Sequence, residues 1–215
     1  MLQDFLNLAA FSFLALFPIL NPPAMSPIFL DMTSALPDDD RHRLAGLIGK
    51  YTFMLLFSVL VAGGWLLKIF GISVPVIRIA GGFLLFNTAW QMLNSESRFS
   101  PAEQEELKSR MTSRAFFPMT MPVTAGPGSI AVTLTLVPAG SLLSPGTWLG
   151  FAGGAAGIAL AALSVFLFYR YSENLLRKMG RAGAQTISKI SAFILLAIGV
   201  QIIWEGVRGL LKLPL

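Results

Sequence analysis

Two proline-rich motifs interrupt apolar stretches long enough to cross a membrane, and they do so at matching places. The first is Pro18-Ile19-Leu20-Asn21-Pro22-Pro23-Ala24; the second is Pro122-Val123-Thr124-Ala125-Gly126-Pro127-Gly128. A uniform offset of 104 residues superimposes Pro18 on Pro122 and Pro23 on Pro127, and sets Asn21-Pro22 against Ala125-Gly126. Proline removes a backbone donor and clashes with the preceding turn, so each cluster predicts a broken helix. Broken backbone inside hydrocarbon is tolerated only where it is buried in protein or lines a polar cavity. Paired breaks in two halves of a chain are the sequence mark of a transporter's binding site.

The surrounding sequence fits a membrane protein. Of 215 residues, 54% are hydrophobic and only 13% charged, against about 25% charged in an average soluble domain. Six segments approach or exceed the roughly 20 apolar residues of a spanning helix: 5–33, 44–67, 74–93, 116–138, 147–169 and 186–210. No basic residue precedes the first, so it reads as a retained span and not as a signal peptide. Residues 95–114 form the long polar stretch, where Ser100-Pro101-Ala102-Glu103 reads as a capping box opening a short surface helix. The expected fold is therefore an all-α polytopic membrane protein. Its six helices form a three-helix repeat over 1–94, a cytoplasmic linker over 95–115 and a second repeat over 116–215. With three spans in each half, the second half must enter from the opposite side, which predicts inverted-topology repeats with broken first and fourth helices.

The net charge of +5 is spread over loops between apolar spans and so signals topology, not nucleic acid. Ten basic residues, from Arg41 to Arg181, collect on one side; four (Lys68, Arg78, Arg208 and Lys212) lie on the other. The richer side is predicted to be cytoplasmic, with both termini outside. Trp65, Trp148 and Trp204 fall near outer span ends and read as interfacial anchors.

Charge is nearly absent from the span centres. Lys50 can snorkel, and Glu205 and Arg208 can pair near the end of the sixth span. Asp31, directly after the first break, is the one carboxylate with a case for coupling. A break supplies charge in another way: one new helix end offers unsatisfied N–H groups, the other unsatisfied carbonyls. A small zwitterion matches that pair without any ionised side chain. Asn21, Pro22, Pro23, Ser26, Thr124, Ala125, Gly126, Pro127, Gly128 and Ser129 are the predicted substrate-binding residues, the glycines allowing close backbone approach. Asn87, Gln91 and Gln201 could line the cavity or hydrogen-bond a neighbouring helix. Gly150, Gly153, Gly154 and Gly157 read as close packing, within the subunit or in a homo-oligomer.

An enzyme is disfavoured. The single histidine, His42, lies in a loop, there is no cysteine and no HExxH, and no cofactor is expected.

At these motifs the chain resembles the MarC family of integral membrane proteins. The residues that carry the likeness are Asn21-Pro22, Gly71-Ile72-Ser73 with Arg78-Ile79-Ala80-Gly81-Gly82, Pro122 with Ala125-Gly126-Pro127-Gly128-Ser129-Ile130, and Gly199-Val200-Gln201 with Gly206. The resemblance implies a six-span inner-membrane protein related to amino-acid exporters of the LysE type, moving small neutral amino acids such as glycine or alanine. The proline-rich run Pro23-Ala24-Met25-Ser26-Pro27 is a local departure that bears on substrate identity. Export of another small metabolite or a drug, and a non-transporting scaffold with a dry core, stay open as alternatives.

Overall fold

Helix ends in this chain fall where the sequence deletes or supplies backbone partners. The computed structural model describes residues 1–34, 36–94, 115–137 and 145–211, and the regular structure among them is all helical. α1 (Leu2–Leu20) and α2 (Pro22–Met32) are two pieces of one apolar stretch, divided at Asn21. α3 (Asp38–Phe70) opens on Asp38, Asp39 and Asp40 and carries Lys68 in its last turn, both favourable to the helix dipole. It stops at Gly71, whose φ of 63° is left-handed, with the Ile72 N–H donating back to the Leu67 carbonyl at 2.9 Å. α4 (Val74–Asn94) follows at once. A π-helical segment (Ala115–Thr124) leads into α5 (Pro127–Thr135), and α6 (Pro145–Arg170) into α7 (Ser172–Leu211). Gly180 (φ 69°, ψ 171°) bends α7 before its long apolar part.

Among the described residues, five helices are long and apolar enough to cross a membrane: 2–20, 38–70, 74–94, 146–170 and 182–211. The fourth expected span, 116–138, is not one helix. Pro122 and Pro127 each delete a donor, and the stretch divides into the π-helical segment and α5, neither long enough to span by itself. The expected linker helix at 100–103 lies outside the described residues. Large apolar side chains such as Phe11, Phe83, Trp90 and Phe193 are exposed all round the bundle. So broad an apolar surface suits lipid and not water.

Glycines set the helix seams, because lipid leaves helices no hydrophobic reason to associate and close backbone approach must do it. A Cβ on Gly82 would stand 2.8 Å from the Gly199 carbonyl oxygen, and one on Gly206 would stand 2.7 Å from that of Pro75. α4 and α7 thus run antiparallel, and Lys189 Nζ of α7 donates to the Met92 and Leu93 carbonyls at the far end of α4. In the same way Gly49 meets Phe166, and Gly154 meets Leu60, so α3 and α6 are antiparallel. Gly153 and Gly157 face Leu8, Ala9, Ser12 and Phe13 of α1. The small-residue stripe of the fifth expected span, a candidate homo-oligomer face, is covered there by α1 of the same chain.

These seams make a stability prediction. Gly199→Ala would put a methyl 2.9 Å from the Phe86 nitrogen and 3.0 Å from the Gly82 oxygen, at a cost of about 1–3 kcal/mol. Gly46→Ala meets only Phe166 Cε2, at 3.8 Å, and should gain up to about 1 kcal/mol of helix propensity. Thermal midpoints in detergent should fall for the first and hold or rise for the second.

Candidate functional site

The first break is built by missing donors. In an unbroken helix the N–H groups of residues 22 and 23 would reach the carbonyls of Pro18 and Ile19, but Pro22 and Pro23 have none. α1 closes with Asn21 N–H donating to the Phe17 oxygen at 2.9 Å, and α2 opens with Met25 N–H donating to the Asn21 oxygen at 3.0 Å. Between them Asn21 is left-handed (φ 46°, ψ 51°), the sole non-glycine with positive φ among the described residues. Asparagine is one of the few residues that visit this region readily. Its side chain is 5% exposed, and Nδ2 has no hydrogen-bond partner. An unsatisfied buried donor costs about 1–3 kcal/mol.

The second break is wound differently. Ala125 N–H reaches back five residues to the Thr120 oxygen at 2.7 Å, Gly126 is extended (φ −77°, ψ 178°), and Pro127 opens α5. The Gly126 oxygen accepts from Ser129 N–H at 3.0 Å and Ile130 N–H at 3.3 Å. Gly128, second in α5, lies among the N–H groups that a helix leaves without an intrahelical acceptor. A Cβ on Gly128 would come within 2.4 Å of the Leu85 side chain, so glycine is what lets α4 close on this break.

Three hydroxyls expected to serve a ligand donate to the protein. Ser26 Oγ donates to the Phe168 carbonyl at 2.9 Å, and Ser129 Oγ to the Gly126 carbonyl at 2.8 Å. Thr124 Oγ1 donates to the Met119 carbonyl at 2.7 Å and lies 2.9 Å from Tyr169 Oη. With the threonine proton engaged, the tyrosine is the donor in that pair.

Tyr169 is the residue that sequence reasoning missed. It is buried in the last turn of α6 and stacks on Phe29 of α2, with ring centroids 4.5 Å apart and planes at 11°. One side chain therefore clasps the piece after the first break to the piece before the second. The available signal was chemical: a tyrosine inside an apolar span needs a partner for its hydroxyl.

The structure thus brings Ser26 and Thr124 onto the last turn of α6. Asn21, Pro22, Ala125, Gly128 and Ser129 are buried, Pro23 and Gly126 half-buried, and Pro127 exposed. The three residues expected as cavity-lining groups lie elsewhere. Asn87, Gln91 and Gln201 are exposed on the outside of the bundle, and Gln201 donates to Glu205 at 3.1 Å. Asp31 is exposed at the end of α2. A cavity of about 640 Å³ lies away from both breaks, against the far end of α5, lined by Trp65, Lys68, Ser73, Thr135, Thr147 and Phe151 among others.

Comparison with known proteins places the chain among integral membrane proteins. The family model described as "MarC family integral membrane protein" matches residues 6–211. A UPF0056 membrane protein of Aquifex aeolicus is 32% identical over 213 residues, covering 98% of this chain and 97% of the relative. The UPF0056 membrane protein YvbG of Bacillus subtilis is 30% identical, covering 92% and 93%. The UPF0056 inner membrane protein MarC of Salmonella typhimurium is 30% identical, covering 98% and 99%. No solved structure matches the chain. The chain belongs to the MarC family of integral membrane proteins.

Two substitutions separate roles at the site. Tyr169→Phe keeps the stack and loses the hydroxyl, an expected cost of about 1 kcal/mol, whereas Tyr169→Ala should cost about 3–5 kcal/mol. Asn21→Gly removes both the left-handed restraint and the orphan amide. Its thermal midpoint should be no lower than the parent's; a fall of several degrees would mean that Asn21 serves the fold.

Proposed function

We propose that this protein is an inner-membrane transporter of small neutral amino acids, such as glycine or alanine, working by alternating access. The observation that carries the reading is the buried amide of Asn21, a donor without an acceptor at a helix break. Unsatisfied buried groups in a native structure call for an explanation, and a ligand is one. In this reading Asn21 Nδ2 and the positive end of α5 meet the carboxylate of a zwitterion. The freed carbonyls of Pro18 and Ile19, with the Ser26 and Ser129 oxygens as acceptors, meet its ammonium. The hydroxyls hold their protons elsewhere but keep lone pairs.

The architecture proposed with it has six crossings, with the π-helical segment and α5 together as the fourth. Residues 1–94 and 116–215 are then inverted halves, with both termini outside, as the excess of basic residues on the Arg41 side favours. Alternating access would expose the breaks to each side in turn.

A second reading, a non-transporting membrane scaffold, is favoured by the engaged hydroxyls of Ser26, Thr124 and Ser129. Reconstituted vesicles with labelled glycine and alanine decide between the two. Saturable uptake is expected, together with a rise in thermal midpoint under the same solutes. Absence of flux for every small neutral amino acid would overturn the transport reading. Gly126→Leu should abolish flux in a protein that still purifies as a folded species, and unchanged flux would remove the argument from backbone approach.

A further inference from the structure

Contacts between the two halves of the chain differ in kind at the two ends of the bundle. At one end Arg41, in the first turns of α3, is only 7% exposed, and its guanidinium pairs with Asp38 and, at 3.0 Å, with Glu173 at the start of α7. The neighbouring Arg43 is exposed, so a cation that merely marked topology had no need to be covered. Ser26 on Phe168, and Phe29 on Tyr169 with Thr124 behind it, join the halves at the same end.

At the other end the halves meet through glycine contacts, Gly63 on Leu134 and Gly206 on Pro75, with a cavity beside them. The cavity lies between the last turns of α3 with the first of α4, and the end of α5 with the first turns of α6. Two antiparallel helices fix the polarity independently. Arg41 and Lys68 are 27 residues apart on α3, about 40 Å at the helical rise. Phe151 and Tyr169 stand at opposite ends of α6. The closed end also carries an unmet polar group: Ser172 Oγ, beside Glu173, is buried without a partner. That cost belongs to the closed seam and would be relieved by water on opening.

We infer that Arg41, Glu173 and the Tyr169 clasp form a gate, closed in this structure, and that the cavity beside Lys68 is the entrance on the opposite side. The gate deepens the transport reading and rests on it for its purpose. It differs from a structural tie because it must open while the other end closes.

The chain has no cysteine, so single reporters need no background removal. Ala45→Cys places a small thiol at a fully buried site one turn inward from Arg41, and Thr135→Cys places one in the cavity. A membrane-impermeant maleimide is applied to sealed vesicles of both orientations. With no other change, the Thr135→Cys reporter should react from one face and the Ala45→Cys reporter from neither. Adding Glu173→Gln, at an exposed carboxylate, should raise labelling of the Ala45→Cys reporter at least tenfold from the other face and slow that of Thr135→Cys; Arg41→Gln should do the same. Unchanged labelling of the Ala45→Cys reporter in both variants would overturn the gate. So would faster labelling of both reporters together, which means general loosening. The labelling needs no solute. A failure of flux leaves this test standing, and flux with an inaccessible Ala45→Cys thiol removes the gate alone.

Discussion

Every feature of this fold answers to one constraint: in hydrocarbon a backbone N–H or carbonyl has nowhere to go except to the protein. The prolines at 18, 22, 23 and 27, and at 118, 122 and 127, strip seven donors from two stretches that have no water to compensate. The chain responds locally. It turns left-handed at Asn21, widens to a π-helix before Ala125, and extends at Gly126. It also responds globally, since helices must then surround the breaks. α4 closes on Gly128, and α6 lays its last turn across α2 and the π-helical segment.

Two kinds of contact do this surrounding. Glycine seams, as between α4 and α7 or between α1 and α6, bring backbones so close that a single methyl does not fit. Such contacts are all or nothing and favour parts that move as bodies. The ion cluster at Arg41 and the stack on Tyr169 are made by side-chain tips, which can separate without disturbing a helix. The first kind runs along the length of the bundle; the second is gathered at one end.

The two breaks were legible in the sequence because their cause is local: a proline lacks its N–H wherever it sits. The tryptophans at 65, 148 and 204, expected as interfacial anchors, are exposed. Facing was not legible. In a lipid-exposed helix the apolar residues lie on every side, so no hydrophobic stripe tells which way Asn87, Gln91 or Gln201 points. The glycines at 153, 154 and 157 announced close neighbours but could not say that these were α1 for Gly153 and Gly157 and α3 for Gly154. Partners far apart in the chain, such as Arg41 with Glu173 and Thr124 with Tyr169, leave no trace in spacing. The hydroxyls of Ser26 and Ser129 were expected to serve a ligand, and only coordinates reveal which carbonyls they already serve.

The π winding of Ala115–Thr124 has a mechanical consequence. Pairing each amide with the carbonyl five residues back packs more residues into a given length than an α-helix does. The segment is therefore a store of slack: drawn down to the ordinary four-residue pairing, it lengthens along its axis with no residue unwinding. Thr124 sits at its end, with its hydroxyl against Tyr169. Any change in that winding would therefore act first on the contact between Thr124 and Tyr169 and on Ala125 and Gly126 just beyond it.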